Sequence, residues 1–541
     1  MTAWNFATLW ELAADAQPDS PAISQGDRTL VWRDFDRRAD AVAATLLARG
    51  ATHQDKVAQY LYNCPEYLES VFAAFKAGLV PVNTNYRYAD DELLYLWDNA
   101  DAVAVVFHGS FTERVDRIRH RLPKVATWLW VDDGSGPCPD WALDYETAAA
   151  TASERVIPAE GRGDDDLLLM YTGGTTGMPK GVMWRQDSLV KAVVSSANPL
   201  FRGEADYDAA RQLLADQGAG GSLLPAPPLM HGTGQFTTFI TLSLAGEIVL
   251  LPSRTFEPDE MLDEIDARRV QSLIIVGDAF AKPMLRVLDA EPDRWDISSL
   301  IMVTSSGVMW SEPVKEGLLR HNPNMLLIDV FSSSEALGLG ASVSSGERAA
   351  STAKFRLGET ARVIADDGND VEPGSGQTGR VAVKGHTPVG YYKDPEKSAA
   401  TFVVLDGETY SIPGDYARVE ADGTLSLLGR GSVVINTGGE KVYPEEVEEI
   451  LKEHPSVSDA VAVGIPDDKF GEAITAVVQA HPGYELDSSE LIAWVKSRLA
   501  SFKAPKHVVP IETIGRAPNG KVDYKRLKGY AADQLGVPLE T

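Results

Sequence analysis

The chain has 541 residues, 44% of them hydrophobic and 24% charged, with a formal net charge of -28 at pH 7. That length exceeds what one hydrophobic core organises and implies two or more domains of ordinary globular composition. The 78 Asp and Glu against 50 Lys and Arg repel phosphate backbones at long range, which argues against a nucleic-acid partner.

From the N-terminus, "MTAWNFATLWELAADAQPDS" lacks the basic start and long apolar run of a signal peptide. No apolar run reaches the ~20 residues of a membrane span. The two cysteines, Cys64 and Cys138, are too few for a disulfide framework and read as buried thiols of a cytoplasmic protein. Between Lys56 and Asp132 strand and helix patterns alternate: "KVAQYLYN" strand, "PEYLESVFAAFKAG" helix, "LVPVN" strand, "ADDELLYLWDNA" helix, "AVAVVF" strand, "FTERVDRIRHRL" helix, "VATWLWV" strand. The rhythm returns from Gly246 to Val330, so two α/β subdomains with parallel sheets are expected. Residues 195–222 are polar and rich in Gly and Ala, a surface excursion over a site. From Arg356 to Gly429 short alternating segments broken by Asp-Gly and Pro-Gly predict hairpins. Alternation resumes after Arg430 in a compact tail. The expected fold is α/β, with a large domain (1–429) of two α/β subdomains plus a β-rich one, and a small mobile α+β domain (430–541).

The stretch with most chemistry is "DLLLMYTGGTTGMPKGVMW", Asp166 to Trp184. Two apolar runs flank it, so it connects two strands tightly. Glycines let backbone N–H groups converge on one concavity suited to phosphate oxygens. The threonines add hydroxyl donors and Lys180 a point charge. It is not a Walker A loop, because Pro-Lys-Gly replaces Gly-Lys-Ser/Thr and a strand, not a helix, follows.

"YTGGTTGMPKGV" resembles the phosphate loop of the adenylate-forming superfamily, which contains acyl- and aryl-CoA synthetases, peptide-synthetase adenylation domains and beetle luciferases. Further signatures stand in the same order: "FAAFKAGLVPVN", "PPLMHG", "FSSSE" in place of Tyr-Gly-x-Thr-Glu, "PGD" in place of Thr-Gly-Asp, "LGRGSVVINTGGEKVYPEEVE" and "APNGKVDYKRL". The resemblance implies attack of a carboxylate on the α-phosphate of ATP, followed by transfer of the acyl group to CoA. By the same resemblance Thr172, Gly173, Gly174, Thr175, Thr176, Gly177 and Lys180 cradle the β- and γ-phosphates. Ser334 touches the α-phosphate and Glu335 holds Mg²⁺. Asp415 takes the ribose hydroxyls with Arg430 nearby, and Phe331 stacks on adenine. Asp329 is a candidate for the adenine amino group, a core position being the rival reading. Ser306 and Gly307 line the base and the carboxylate.

Lys521, in "NGK", is implied as the catalytic lysine that bridges the attacking carboxylate and the α-phosphate. His231 is the resemblance's pocket histidine, shifting to admit substrate and thiol. Phe236, Phe239 and Ile240 suggest an apolar acyl pocket, and the segment after His231 lacks the aspartate that pairs an amino acid's ammonium. Asp278 either adds polarity to that pocket or caps a helix. Ser432 falls at the hinge, where relatives carry Asp or Lys, and Gly438 and Gly439 match the path of the pantetheine arm. Lys441 and Tyr443 have no assigned role. The leading expectation is an ATP-, Mg²⁺- and CoA-dependent ligase of fatty or alicyclic acids. The alternatives are transfer to a carrier-protein phosphopantetheine and an ATP-binding module with decayed chemistry. The acid and the oligomeric state stay open, a homodimer being the assembly to test.

Overall fold

The computed structural model describes residues 3–151, 154–174, 177–308, 310–346, 349–430, 433–437, 440–467, 471–499, 501–517 and 520–539. They pack as two compact units: Met1–Thr352 with Val383–Ser411, and Ala353–Ala382 with Ile412–Thr541.

The first unit is built on two twisted sheets. One has the spatial order Gly390–Tyr391, Gly177–Arg185, Leu167–Gly174, Val80–Asn83, Lys56–Tyr60, Ala102–His108, Thr127–Val131, Leu143–Asp144. It is parallel from Leu167–Gly174 onward and antiparallel in its first two members. The other runs Arg28–Val31, Pro21–Gln25, Glu247–Leu250, Ser222–Pro225, Ser272–Ile275, Met302–Ser306, Leu326–Ser333, Ala336–Ser345. It is parallel from Pro21–Gln25 to Leu326–Ser333, with Ile23 opposite Ile248 and Ser305 opposite Asp329. The helices expected between these strands are present, because each strand–helix period alternates buried apolar residues with a Pro, Gly or acidic helix start. Helix Pro65–Lys76 begins with its proline in the first turn and is buried along its whole length.

The N-terminal stretch forms helix Phe6–Ala16, whose first turn is capped by the Asn5 side chain accepting from Ala7 N–H. Phe6 and Trp10 pack into the core beside Phe72, Phe75 and Phe239, with ring centroids 5.0–5.8 Å apart. Beneath them Lys76, of "FKAG", is fully buried among Glu11 at 3.0 Å, Asp36 at 2.6 Å and Asp40 at 2.9 Å. An ammonium removed from water is tolerated there because three carboxylates replace its hydration. The stretch 195–222, expected as a surface excursion, is docked on this N-terminal segment. Phe201 is buried against Trp4 at 5.0 Å, Trp4 Nε1 donates to Gly203 O at 3.1 Å, and helix Tyr207–Gln217 buries Ala210 and Leu214. Its aromatic and leucine side chains outweigh the polar composition that suggested exposure.

The second unit joins hairpin strands Lys354–Leu357, Asp415–Val419 and Thr424–Arg430 to a tail in which Val457–Asp467 and Gly471–Ala480 pair antiparallel and His507–Pro510 joins in parallel. Helices Pro444–Lys452, Ser488–Lys496 and Tyr524–Leu535 belong to it. Residues 353–382 and 412–430 thus belong to the same compact unit as the tail. The ion pair Arg418–Glu446 at 2.6 Å and the Tyr416–Tyr443 ring contact at 5.7 Å join the strands to the first of those helices.

Candidate active site

In a doubly wound sheet, ligands bind beyond the carboxyl ends of strands, where the strand order reverses. The first sheet reverses at Lys56–Tyr60, which pairs Val80–Asn83 on one side and Ala102–His108 on the other. The second reverses at Ser222–Pro225, between Glu247–Leu250 and Ser272–Ile275. Side chains join these two points. Asn63 accepts from Leu229 N–H at 2.7 Å and donates to Pro227 O at 3.2 Å, while Tyr67 Oη donates to Leu229 O at 3.2 Å. Asn83 Nδ2 donates to Met230 O at 2.6 Å and to Tyr171 O at 2.8 Å, and its Oδ1 accepts from Tyr171 N–H at 2.6 Å. The "PPLMH" segment and the base of the glycine-rich hairpin are therefore held together by buried amides.

The hairpin is made of Leu167–Gly174 and Gly177–Arg185, with Thr172 opposite Lys180 and Gly174 opposite Gly177. Thr175 and Thr176, at its tip, lie outside the described residues. Gly181 faces Tyr171 across the ladder, and a Cβ there would sit 2.7 Å from the tyrosine ring. This glycine of "PKG" makes room for a ring that braces the hairpin through Tyr171 Oη donating to Asn99 at 2.6 Å. Lys180 is about two-fifths exposed; its Nζ lies 3.3 Å from Asp394 and 5.6 Å from the centroid of the Tyr391 ring.

Tyr391 continues the line of contacts, because its hydroxyl donates to Glu335 Oε1 at 2.9 Å. Glu335 follows strand Leu326–Ser333, is nearly buried, and its carbonyl accepts from Ser411 Oγ at 2.6 Å. Trp184 Nε1, on the second hairpin strand, donates to Ser334 O at 2.9 Å, and the Trp184 ring meets Phe236 edge-on at 6.4 Å. A Cβ on Gly232 would lie 3.6 Å from Ser334 Oγ and 3.4 Å from the Phe236 ring. His231 occupies the N-cap position of helix Gly232–Ser243, so it leads directly into this junction. Gly307 has φ +94, which favours glycine, and its missing Cβ would lie 3.8 Å from Thr233 Oγ1 on the same helix. Phe331 is buried, opposite Gly340, and Ser306 ends the strand before Gly307. Lys180, Glu335, Ser334, Gly307, Phe236 and the helix start at His231 are thus linked by short contacts.

Other sequence candidates point elsewhere. Phe239 is fully buried in the aromatic core with Phe6 and Trp10, whereas Ile240 on the next position is only partly buried. Asp278 accepts from Ser311 N–H at 3.0 Å and Oγ at 3.1 Å, and pairs with Lys282 at 3.3 Å at the first turn of helix Asp278–Ala290. Asp329 pairs with the buried Lys315 at 3.3 Å; burial pushes its carboxyl up to about 6, against the pull of that ammonium. A cavity of about 440 Å³ bordered by Arg28, Arg38, Glu66 and Tyr145 contains none of the candidate residues.

In the second unit Asp415 faces Arg430 across the ladder of Asp415–Val419 and Thr424–Arg430. Asp415 is buried, and Glu445 beside Gly429 is half-buried with one carboxylate oxygen enclosed; loss of hydration raises the Glu445 carboxyl to about 8. Lys521 is exposed, and its carbonyl accepts from Ala517 N–H at 2.9 Å. Tyr443 is buried against Tyr416. Ser432, Gly438 and Gly439 lie outside the described residues, as does the side chain of Lys441.

The sequence reading missed Asn63, Tyr67, Asn83, Tyr391 and Asp394. Asn63 and Asn83 carried a usable signal, being amides just beyond and at the carboxyl ends of parallel strands, where polar side chains meet ligands or loops.

Comparison with known proteins identifies the family. The AMP-binding enzyme family model matches residues 10–392, and that of the AMP-binding enzyme C-terminal domain matches residues 446–521. A medium/long-chain-fatty-acid–CoA/3-oxocholest-4-en-26-oate–CoA ligase of Mycobacterium tuberculosis is 40% identical over 535 residues, 97% of this chain and 96% of that one. A 3-oxocholest-4-en-26-oate–CoA ligase of Rhodococcus rhodochrous is 39% identical over 548 residues, 99% and 96% of the two chains. ATP-bound MatB from Rhodopseudomonas palustris shares the fold with a TM-score of 0.79 and 25% identity, over 99% of this chain and 100% of that one. An anthranilate CoA ligase in complex with anthranoyl-AMP superposes with a TM-score of 0.84 at 19% identity over 99% of each chain, a likeness of fold. The chain belongs to the AMP-binding enzyme family, as an acyl-CoA synthetase of the adenylate-forming superfamily.

Proposed function

We propose that this enzyme converts a medium- to long-chain fatty acid, or a bulky sterol-side-chain acid, into its CoA thioester. The observation that carries this reading is the near-full-length likeness, at 39–40% identity, to ligases named for those acids. The segment from Gly232 to Gly246 supports it, having no Asp or Glu to pair an amino acid's ammonium.

In the first half-reaction a carboxylate oxygen attacks the α-phosphorus of ATP, the bond to the β-phosphate oxygen breaks, and pyrophosphate leaves. Two anions must meet, so the protein's work is neutralisation and alignment. The hairpin from Thr172 to Gly177 offers backbone N–H groups and Lys180 a charge to the β- and γ-phosphates. Ser334 contacts the α-phosphate, Phe331 the adenine, Ser306 and Gly307 the base and the carboxylate, and Asp415 with Arg430 the ribose. Glu335 suits a Mg²⁺ ion: it is a nearly buried carboxylate that makes no ion pair among the described residues, and hard oxygen donors shared with phosphate are what this ion takes. Bound there, the ion would neutralise charge on the phosphates. Lys521 bridges the attacking carboxylate and the α-phosphate.

In the second half-reaction the CoA sulfur, as thiolate, attacks the acyl carbonyl carbon, and the carbon–oxygen bond to AMP breaks. Residues 430–541 turn about Ser432 between the two steps, Gly438 and Gly439 leave room for the pantetheine arm, and His231 swings to admit the thiol. No described helix is long and apolar enough to cross a membrane; we place the reaction in the cytoplasm, with a homodimer as the assembly to be measured by light scattering.

The test is release of AMP and pyrophosphate with a panel of short to long fatty acids, aryl acids and sterol-derived acids, each with and without CoA. Turnover restricted to medium- to long-chain or sterol acids and requiring CoA is expected. Pyrophosphate exchange without a CoA product would transfer the acceptor role to a carrier protein. A preference for aryl acids would overturn the assigned substrate class.

A further inference from the structure

The segment after Val389 is fastened to the phosphate hairpin more firmly than a connecting loop requires. Val389 N–H donates to Met183 O at 2.9 Å, Tyr392 N–H donates to Gly181 O at 2.8 Å, and Gly390–Tyr391 pairs antiparallel with Val182 and Met183. Ser398 closes the turn by accepting from Tyr391 N–H at 2.8 Å and donating to Asp394 O at 2.6 Å. Asp394 divides its two oxygens. Oδ1 caps helix Pro395–Thr401 by accepting from Lys397 N–H at 3.0 Å, and Oδ2 faces Lys180 Nζ at 3.3 Å. That backbone bond, joined by the nearby ammonium, holds the Asp394 carboxyl below the usual range, so it is an anion throughout the working pH range. Tyr391 lies under the lysine and donates its hydroxyl to Glu335, so one ring touches both charged groups.

We propose that Asp394 is the resting counter-ion of Lys180, an internal carboxylate that the polyphosphate of ATP displaces, with Tyr391 as the positioning residue on which the exchange takes place. The inference rests on reading Lys180 as a phosphate ligand. Since the backbones on both sides are fixed to each other, the exchange needs only rotation of the lysine side chain. Its consequence is weaker ATP binding than the hairpin would otherwise give, and a partner ready for Lys180 when pyrophosphate leaves. Both side chains are more than a third exposed, so the competition is modest: ion pairs of this kind correspond to roughly a two- to fivefold change in a dissociation constant.

The test measures ATP affinity by calorimetry on the full chain without acid, for wild type, Lys180→Ala, Asp394→Asn and the double variant. Asparagine keeps the cap and removes the charge, and Asp394→Ser is the second uncharged cap should the first fail to fold. ATP is expected to bind roughly two- to fivefold more tightly to Asp394→Asn, with the gain shrinking as salt rises. The gain is expected to vanish in the Lys180→Ala background. If Lys180→Ala leaves ATP affinity unchanged, the reading of Lys180 itself fails. If Lys180→Ala weakens ATP but Asp394→Asn does not tighten it, or tightens it equally without the lysine, the counter-ion proposal is overturned while that reading stands.

Discussion

Asn83 is the side chain on which the two switch points depend most directly, and Asn83→Ala tests that dependence. Strand Val80–Asn83 ends where Tyr171 still needs a neighbour, and the Asn83 amide replaces the missing backbone with three bonds of 2.6–2.8 Å. Truncation leaves Tyr171 N–H, Tyr171 O and Met230 O without that partner in a region where Asn83 itself is 4% exposed. A buried polar group left unsatisfied costs roughly 1–3 kcal/mol. Water entering the vacated space restores part of this, so a loss of about 2–4 kcal/mol is expected for the first unit. Urea unfolding followed by tryptophan emission reads that unit almost alone, since Trp494 is the one tryptophan of the 11 in the sequence that falls in the second. The midpoint should fall with the slope unchanged. Below the transition, ATP–pyrophosphate exchange should also fall, because the hairpin and His231 lose their common anchor. An unchanged urea midpoint would refute the energetic argument. A lowered midpoint with wild-type exchange would show that the amide stabilises the fold without positioning the site.

Lys521→Ala should lower adenylate formation by roughly 10²–10³-fold while leaving ATP affinity near wild type; equal pyrophosphate-exchange rates for the two proteins would remove Lys521 from the mechanism. Lys315→Met should make stability more sensitive to rising pH. Asp329 already titrates near 6 in the folded chain against about 3.9 unfolded. A raised folded value means stability is present at low pH and is lost as pH rises through it. Without the lysine that value climbs further, so the melting temperature of the variant should drop away from wild type above pH 6 and approach it near pH 4. Gly181→Ala should drive a methyl group into the Tyr171 ring, costing about 1–3 kcal/mol and weakening ATP binding; a variant with wild-type melting and ATP affinity would show that the ring moves aside freely.

Much of the fold was legible because its strands and helices carry contrasting periods. "AVAVVF" and "LIMVTSS" read as strands, and "PDEMLDEIDARR" as a helix, and each forms the element its pattern implies. The glycine-rich stretch reads as a connection between strands and is one, because only a hairpin brings Thr172 opposite Lys180. What the sequence conceals is the partner of a side chain far away along the chain. Asp329 looks like a ligand at a strand end until Lys315 is seen beside it, and Phe239 looks like a pocket wall until Phe6 and Trp10 arrive from the N-terminus. Tyr391 and Asp394 sit in "GYYKDPEKS", which reads as a turn and a helix cap. Their second role, at Glu335 and Lys180, exists only after Gly390–Tyr391 pairs with the hairpin.

The pairing of Ile23 with Ile248 also sets a timetable for biosynthesis. The second of these residues is added 225 positions after the first (248 − 23). At ~5–20 residues per second, the N-terminal strand waits on the order of 10–45 s on the ribosome for its neighbour. Throughout that interval Trp4, Phe6, Leu9 and Trp10, all fully buried in the finished protein, are without the helix that carries Phe239. Slow translation between residues 25 and 245 would prolong this exposure and favour aggregation or chaperone capture, whereas the completed chain would show no trace of it.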